Sequence, residues 1–543
     1  MGVWVAQQLA ADSPLYNCAT YFEISGRVDA ALLTEAVRRT VAETDALRVR
    51  FTEDGDGLWQ VIEPVGEKVR LAVLDVSAES DPTAAARAWM AADLATPTEL
   101  SSDSLYTHAL FRTGTDRSLL YFRHHHIVLD GFGQAVYCSR LAQTYTALAG
   151  GQEPPVGRFR KLAEIVDEER AYHTSARHDA DRDYWHAAFE ELPEPAPLAG
   201  RNSAPSPTAL RRAVRLTADQ EAQLAGVGRW SAVLVAAVAA YLHRLTGSDD
   251  VVVGLAMTAR TTPLAVSTPA MLANDVPLRL DVQGGNTLAE LVDQVMTRLG
   301  GALRHQRYRS EDLVHHLGLS GGAGALGSAA VNAVSFGKGI RFGDHDTVMH
   351  PLSSGPVKDL AVSSYGEVGS AGGVVLEFAA NPAVYTETEL AGQQDRFLRF
   401  LSTLAADPHR SIGGADLLDE AERERLVSEW NDSARVVPQA GLAELFEERV
   451  RLAPAEVAVE YGELSLTYQE LNESANRLAR HLIGLGVGPE RIVAVALPRS
   501  VEWLVGMLAV AKAGGTYLPV DPEYPVERIR YMLADASPVC VVT

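Results

Sequence analysis

The chain has 543 residues, more than one hydrophobic core normally serves, so two or three domains are expected. With 47% hydrophobic and 22% charged residues the composition is that of a globular protein, and a formal net charge of -22 argues against a nucleic-acid partner, although an acidic protein can still carry a local basic patch. Cys18, Cys138 and Cys540 lie far apart and form no CxxC pair, so no disulfide framework or zinc site is expected, and a reducing, cytoplasmic setting fits.

In chain order, Tyr16–Gly26 has the β-branched and aromatic content of a strand. After a cap at Asp29, Leu32, Leu33, Val37 and Val41 recur at helical spacing. Ser118–Gly133 reads as a strand followed by a turn, and Gly133–Gly151 as a helix closed by a glycine pair. Glu194–Thr208, rich in Pro, Ala and Ser, reads as a crossover between two lobes, 1–190 and 191–425. In the second lobe Ser231–Leu245 is a helix, and its apolar stretch Ser231–Leu242 is too short to span a membrane and suits a buried core. Asp249–Met257 is a buried strand, Leu288–Leu303 an amphipathic helix, and Ser320–Ser328 a flexible loop by composition. A polar linker, 426–441, leads to a third region, 442–543. There Leu464–Val487 reads as a short strand and long helix, Arg491–Leu497 as a parallel-type strand, and Glu502–Gly514 as a helix ending at glycine. The last residues, Pro538–Thr543, have the look of a central strand, so a truncated domain is expected.

The segment that carries chemistry is HHIVLDG, His125–Gly131. Neighbouring side chains of a strand point to opposite faces, so His125 and His126 do not face one cavity, and His126 shares a face with His124 and Phe122. Asp130 and Gly131 suit the turn that follows, since Gly permits positive φ. A metal site on His124 and His126 needs a further ligand that the local sequence does not supply, so no metal is expected. The bland alternative is a histidine that only bonds within the structure.

The pattern HHxxxDG, standing here as His125, His126, Asp130 and Gly131, resembles the signature of the condensation-domain superfamily of non-ribosomal peptide synthetases. The flanking segments resemble the other motifs of that family, in order. They are Gly2–Leu9, Glu43–Phe51, Asp181–Phe189, Met271–Leu280 and His305–Val314, within about residues 2–425. Leu466–Asn472 and Ala511–Ile529 resemble the first two motifs of an adenylation domain, whose phosphate loop would lie beyond Thr543. Met1 falls inside the first motif, so truncation is expected at both ends. The resemblance implies an α/β fold of two chloramphenicol acetyltransferase-like lobes in a V-shaped pseudo-dimer, followed by the N-terminal fragment of an adenylation domain.

It also implies an acyltransferase joining a donor thioester to the α-amine of an aminoacyl thioester. No cofactor is bound directly, because the partners, donor and acceptor carrier proteins, bring 4'-phosphopantetheine arms. His126, as second His of the motif, would stand between two tunnels and act as base or orient the amine. Proximity of the two tethered reactants supplies rate by itself. Asp130 would pair with an arginine of the other lobe, with Arg260 the candidate and a surface charge its bland alternative. Asn274 would bond a pantetheine amide near the tunnel. The chain itself, without a phosphate loop, is expected not to activate amino acids with ATP. Among rivals, epimerisation domains share the motif but continue differently after Gly131, where this chain has Phe132-Gly133-Gln134. Heterocyclisation domains replace the His pair, and non-catalytic recruitment domains have a degraded motif. Arg123–Gly133, Arg304–Tyr308 and Ser353–Leu360 further resemble first condensation domains of catechol-siderophore synthetases of the enterobactin and bacillibactin type. A 2,3-dihydroxybenzoyl donor delivered in trans, in an apolar tunnel with few charges, is the corresponding expectation, with an aminoacyl or peptidyl donor as the alternative.

Overall fold

The alternation of strand-like and helical segments resolves into two large sheets within Met1–Glu424, and a second compact unit forms over Arg425–Thr543. The structure, a computed structural model, describes residues 2–543 apart from 56, 66–68, 195–196, 202, 207, 320–325, 328, 335–338 and 370–372. Most of the glycine-rich stretch expected to be a loop, Ser320–Ser328, therefore lies outside the described residues.

The first sheet runs in the order Asp346–Ser354, Asn17–Ser25, Arg117–His125, Tyr106–Gly114, Leu71–Asp75. Period-two alternation sorts its side chains. Phe22, Ile24, Leu120 and Phe122 pack on one face with Val37 and Val41 of helix Ala30–Glu43 and with Tyr137 and Leu141 of helix Gly131–Ala149. Ala19, Tyr21, Leu119 and Tyr121 pack on the other with Ala86 and Met90 of helix Pro82–Leu94. Asp29 caps its helix as expected, its carboxylate accepting from the backbone N–H of Ala31 and Leu32.

The second sheet has the order Leu210–Arg215, Val375–Ala380, Leu360–Tyr365, Ala329–Val334, Asp250–Met257, Asn274–Asp281. Helix Trp230–Thr246 belongs to its core and is buried from Ala232 through Leu242, which explains an apolar run with no polar face. Among the described residues no single helix is long and apolar enough to cross a membrane.

The strand Asp346–Ser354 breaks the chain-order division at 190/191. It lies between two strands of the second sheet in sequence, yet it pairs antiparallel with Asn17–Ser25 of the first, Cys18 opposite Ser354. Ile340 and Phe342 just before it are buried in the first lobe's core. The second lobe's segment thus completes the first lobe's sheet and re-enters its own through Gly355.

In the second unit, Ile492–Val495 is the middle strand of a parallel sheet with Thr516–Pro519 and Cys540–Val542. Val493, Ala494 and Val495 are fully buried, which accounts for its unbroken apolar sequence. Helices Tyr468–Gly484 and Val501–Lys512 supply Ala479, Leu482, Ala509 and Val510 to the same core. Residues 423–441, which include the polar linker, are all exposed.

Candidate active site

Strand alternation at the end of Arg117–His125 decides the histidines' roles. His124 stands opposite Cys18, and the backbone N–H of His126 donates to Tyr16 O at 2.7 Å, so the pleat continues one residue past the strand. His124 and His126 face an internal cavity of about 600 Å³, while His125 points away from it. His125 Nδ1 accepts from the Ile127 N–H at 3.2 Å, which leaves the ring proton on Nε2, 3.2 Å from Gln7 Oε1. The Gln7 amide in turn donates to the carbonyls of Ala10, Ala11 and Ser13. His125 therefore fastens helix Gly2–Leu9, whose Gly2, Val3 and Ala6 line the cavity. The motif's first histidine is thus placed away from the cavity and bonded within the protein. Burial, with the nearby His126 and Arg123, holds its pKa down at about 3. Burial alone holds His108 at about 3, and burial foremost places His124 well below the usual histidine range.

Asp130 and Gly131 also depart from the expected turn. Gly131 is the first residue of helix Gly131–Ala149 and does not have positive φ, and Asp130 is the N-cap, its Oδ1 accepting from the Gly133 N–H at 2.7 Å. The glycine that close packing requires is Gly133, where a Cβ would stand 2.8 Å from the carbonyl oxygen of Ala270. Asp130 Oδ2 meets Arg260 Nη1 at 2.7 Å and the backbone N–H groups of Leu272 and Ala273 at 2.8 Å each. Both side chains of the ion pair are 1% exposed. Arg260 also donates to the carbonyls of Thr258 and Ala270 and lies over the Phe132 ring at 4.7 Å. Both oxygens of Asp130 are engaged, and none of their partners is His126. Asp130 joins the two lobes. Next to Arg260, Ala259 adopts φ 50, and its N–H donates to Gln306 Oε1 at 3.0 Å. That is backbone strain held in place by a side chain from another segment.

Asn274 is held by hydrogen bonds to the backbone around it. It lies on the cavity wall, but Nδ2 donates to the carbonyls of Gln306 and Tyr308 at 3.0 and 2.7 Å, and Oδ1 accepts from the Ser310 N–H at 3.1 Å. Both amide protons are used in tying segment Met271–Leu280 to segment His305–Val314. Segments Asp181–Phe189 and His305–Val314 are joined likewise, through His305 Nδ1 and Asp181 Oδ1 at 2.7 Å and Tyr184 stacked on His305 at 4.1 Å.

Three features of the cavity were not read from the sequence. Gly355, at φ 99, approaches His126 so closely that a Cβ there would lie 3.1 Å from His126 Cδ2 and 3.9 Å from Cys18 Sγ. Asp275 projects into the cavity, open to it but surrounded by protein, and this burial raises its carboxyl pKa, with His126 opposing and Glu311 reinforcing the shift. On the second sheet, the register places Pro277, Gly254, Ala330, Ala361, Ala379 and Arg211 in one cross-strand row. All six line the cavity, so small side chains hollow out the face of the sheet. The wall is not the apolar one expected, because Arg211, Glu377, Asp275 and Glu311 all line it. His126 Nδ1 is buried without a hydrogen-bond partner among the described residues, so no carboxylate orients the ring there.

Residues 1–427 match the model of the condensation domain, and residues 446–543 match that of AMP-binding enzymes. This chain belongs to the condensation-domain family of non-ribosomal peptide synthetases. Over its whole length it is 41% identical to a dimodular nonribosomal peptide synthase of Bacillus subtilis (strain 168) and 31% identical to enterobactin synthase component F of Escherichia coli O157:H7. It spans 23% and 42% of those two proteins. The first condensation domain of the calcium-dependent antibiotic synthetase, in complex with a substrate analogue, superposes with a TM-score of 0.72 at 36% identity, over 77% of this chain and 97% of the other. A starter condensation domain of rhizomide synthetase in complex with C8-CoA superposes with a TM-score of 0.73 at 37% identity, over 77% and 96%. The condensation domain has the chloramphenicol acetyltransferase-like α/β fold, and its reaction is amide-bond formation by acyl transfer.

Three outcomes follow from this geometry. Asp130→Ala leaves Arg260 as an uncompensated buried charge, and a loss of about 3–5 kcal/mol in chemical denaturation is expected; a change below about 1 kcal/mol would show that the pair is not the lobes' cross-link. Gly355→Ala should fold but lower condensation turnover at least tenfold, since the methyl must displace the His126 ring; wild-type turnover would mean that the clearance is unimportant. His108, His124 and His125 are neutral when folded and titrate near ~6.5 when unfolded. Their folded values are lowered, so stability is fully present above about pH 6.5 and is lost as pH falls toward 3. A urea midpoint that stays constant from pH 8 to 4 would contradict this.

Proposed function

We propose that His126 receives the acceptor's amine at the junction of two arms of the cavity, and that the donor is an aryl acyl group of the catechol-siderophore kind. The nitrogen of a neutral α-amine attacks the donor thioester carbonyl. The C–N bond forms, the C–S bond breaks, the amine loses one proton, and the departing thiolate gains one. A neutral imidazole beside the attacking nitrogen can accept that proton, and His126 is the cavity histidine placed to do so. With no hydrogen-bond partner on Nδ1 to fix the ring as the carboxylate of a catalytic triad does, the role is weighted toward holding the amine at the carbonyl.

The observation that carries the assignment of arms is the charge asymmetry of the cavity wall. Asp275 and Glu311 sit on the His126 side, where they suit an incoming amine that is mostly an ammonium in water. Gly2 and Tyr16 border Glu311 and mark the same arm. The opposite part of the wall carries Arg211 paired with Glu377 at 2.6 Å, a mutually compensated pair that offers an ammonium no unpaired anion and suits a donor that has none. An aryl acid is such a donor and an aminoacyl group is not. The relatives named as enterobactin synthase component F agree with this choice. Carrier proteins bring both thioesters, and their pantetheine arms are long and thin enough for a cavity floored by Gly254, Ala330, Ala361 and Ala379.

The test offers one aminoacyl carrier as acceptor and, separately, aryl, fatty-acyl and aminoacyl donors on carrier proteins. Amide formation with the aryl donor is expected to exceed the others, and His126→Ala is expected to lower it at least a hundredfold with an unchanged denaturation midpoint. Turnover with aminoacyl donors alone would reverse the donor assignment. Near-wild-type turnover of the His126 variant would remove that residue from the mechanism.

A further inference from the structure

The part of the cavity opposite Asp275 contains a polar cluster that the amide-forming step does not use. Arg211 Nη1 donates to Glu377 Oε1 at 2.6 Å, from strands paired so that Arg211 faces Ala379, two residues from Glu377. Glu377 stands directly opposite Ser363, and Tyr365 follows two residues later on the same face. Ser354 and Tyr365 lie on the same part of the wall. All five side chains line the cavity, and Arg211 and Glu377 are 20% and 7% exposed. A charged pair at the end of a row of glycine and alanine is costly to desolvate, and hydrophobic residues of similar volume would give the same wall at less expense.

The path from the reacting centre to this cluster is continuous. A Cβ at Gly355 would meet both His126 and Cys18, Ser354 precedes it on the wall beside Tyr365, and Arg211 acts electrostatically on the Cys18 thiol. Cys18 itself is buried, and its thiol is pushed up to about 12, so it is wall rather than nucleophile. An acyl carbonyl held at His126 therefore sends the rest of the acyl group past Gly355 and Cys18 toward Tyr365, Arg211 and Glu377.

Resting on the donor assignment above, we infer that Arg211, Glu377 and Tyr365 form a specificity subsite that reads oxygen substituents at the far end of the donor acyl group. Arg211 can only donate hydrogen bonds and Glu377, when ionised, can only accept them. A hydroxyl does both and can meet the two together, whereas a methylene or an unsubstituted ring edge meets neither and leaves both groups desolvated. A site with buried polar groups rejects an analogue lacking the matching hydroxyl far more strongly than an apolar pocket rejects an extra methylene. The substrate class is therefore a hydroxylated aryl acyl thioester, favoured over a plain benzoyl or alkanoyl one.

The experiment uses the full chain, a common aminoacyl carrier as acceptor, and 2,3-dihydroxybenzoyl, benzoyl and octanoyl groups on the donor carrier. The wild-type protein should prefer the dihydroxylated donor over benzoyl by tenfold or more in kcat/KM, mainly through the donor KM. In Arg211→Gln/Glu377→Gln, which leaves no uncompensated charge, that ratio should fall to about one, and Arg211→Lys should restore part of it. The denaturation midpoint of each variant serves as the control for folding. An unchanged ratio in the folded double variant would overturn the role of Arg211 and Glu377 while the aryl-donor assignment stands. Product from aminoacyl donors only, with none from either aryl group, would overturn that assignment and this subsite together.

Discussion

The Asp130–Arg260 ion pair is the contact on which the site depends. One carboxylate caps the helix that starts at Gly131, grips the loop at Leu272 and Ala273, and neutralises an arginine from the second lobe. A carboxylate is stable at such depth only when it is paired and hydrogen-bonded, and here both oxygens have N–H partners. Because Asp130 is four residues after His126, fixing the helix cap also fixes the turn that presents the imidazole. The same loop, Ala270 to Ala273, is held from its carbonyl side by Arg260 and Arg309. It leads directly into Asn274 and Asp275, so the cross-link positions the anionic wall as well as the histidine.

The cavity results from two departures from ordinary sheet packing. The first sheet's face is filled by Phe22, Leu120 and Phe122 until Cys18 and His124, where the core stops. The second sheet replaces the branched residues expected on a buried face with glycine and alanine along one row. Neither device creates chemistry. Together they leave space beside His126 and let polar groups at the two edge strands, Asp275 at one and Arg211 at the other, face the same interior. Six strands spaced about 4.8 Å apart put those edges roughly 24 Å from each other, enough for two substrates to enter with their distinguishing ends far apart.

What could be read from the sequence was local. The orientation of His126 follows from strand alternation, and the helix after Asp29 from spacing and a cap. Arg260 was reached only through family likeness, because nothing in its own neighbourhood names a partner 130 residues away. At Asn274 the sequence shows that an amide is present and not whether its protons are already used. Gly131 was given a turn's backbone when the residue before it was a helix cap, a distinction that rests on one hydrogen bond to Gly133. Gly355, Asp275 and Arg211 escaped notice since their meaning comes from the register of strands far apart in the chain. His125 was separated from His126 by pleat alone, but its grip on Gln7 depends on a helix 118 residues away.

The strand Asp346–Ser354 has a consequence for biosynthesis. Until it is made, Asn17–Ser25 has no partner on one side and remains an open sheet edge, although the rest of its lobe has already been translated. The bond from Thr20 to His350 spans 330 residues. At a ribosomal rate of about 5–20 residues per second that edge waits roughly 15–65 s. The nascent first lobe is thus exposed to intermolecular strand pairing for that interval, and the polymerisation of one half of the enzyme sets the time at which the other half can close.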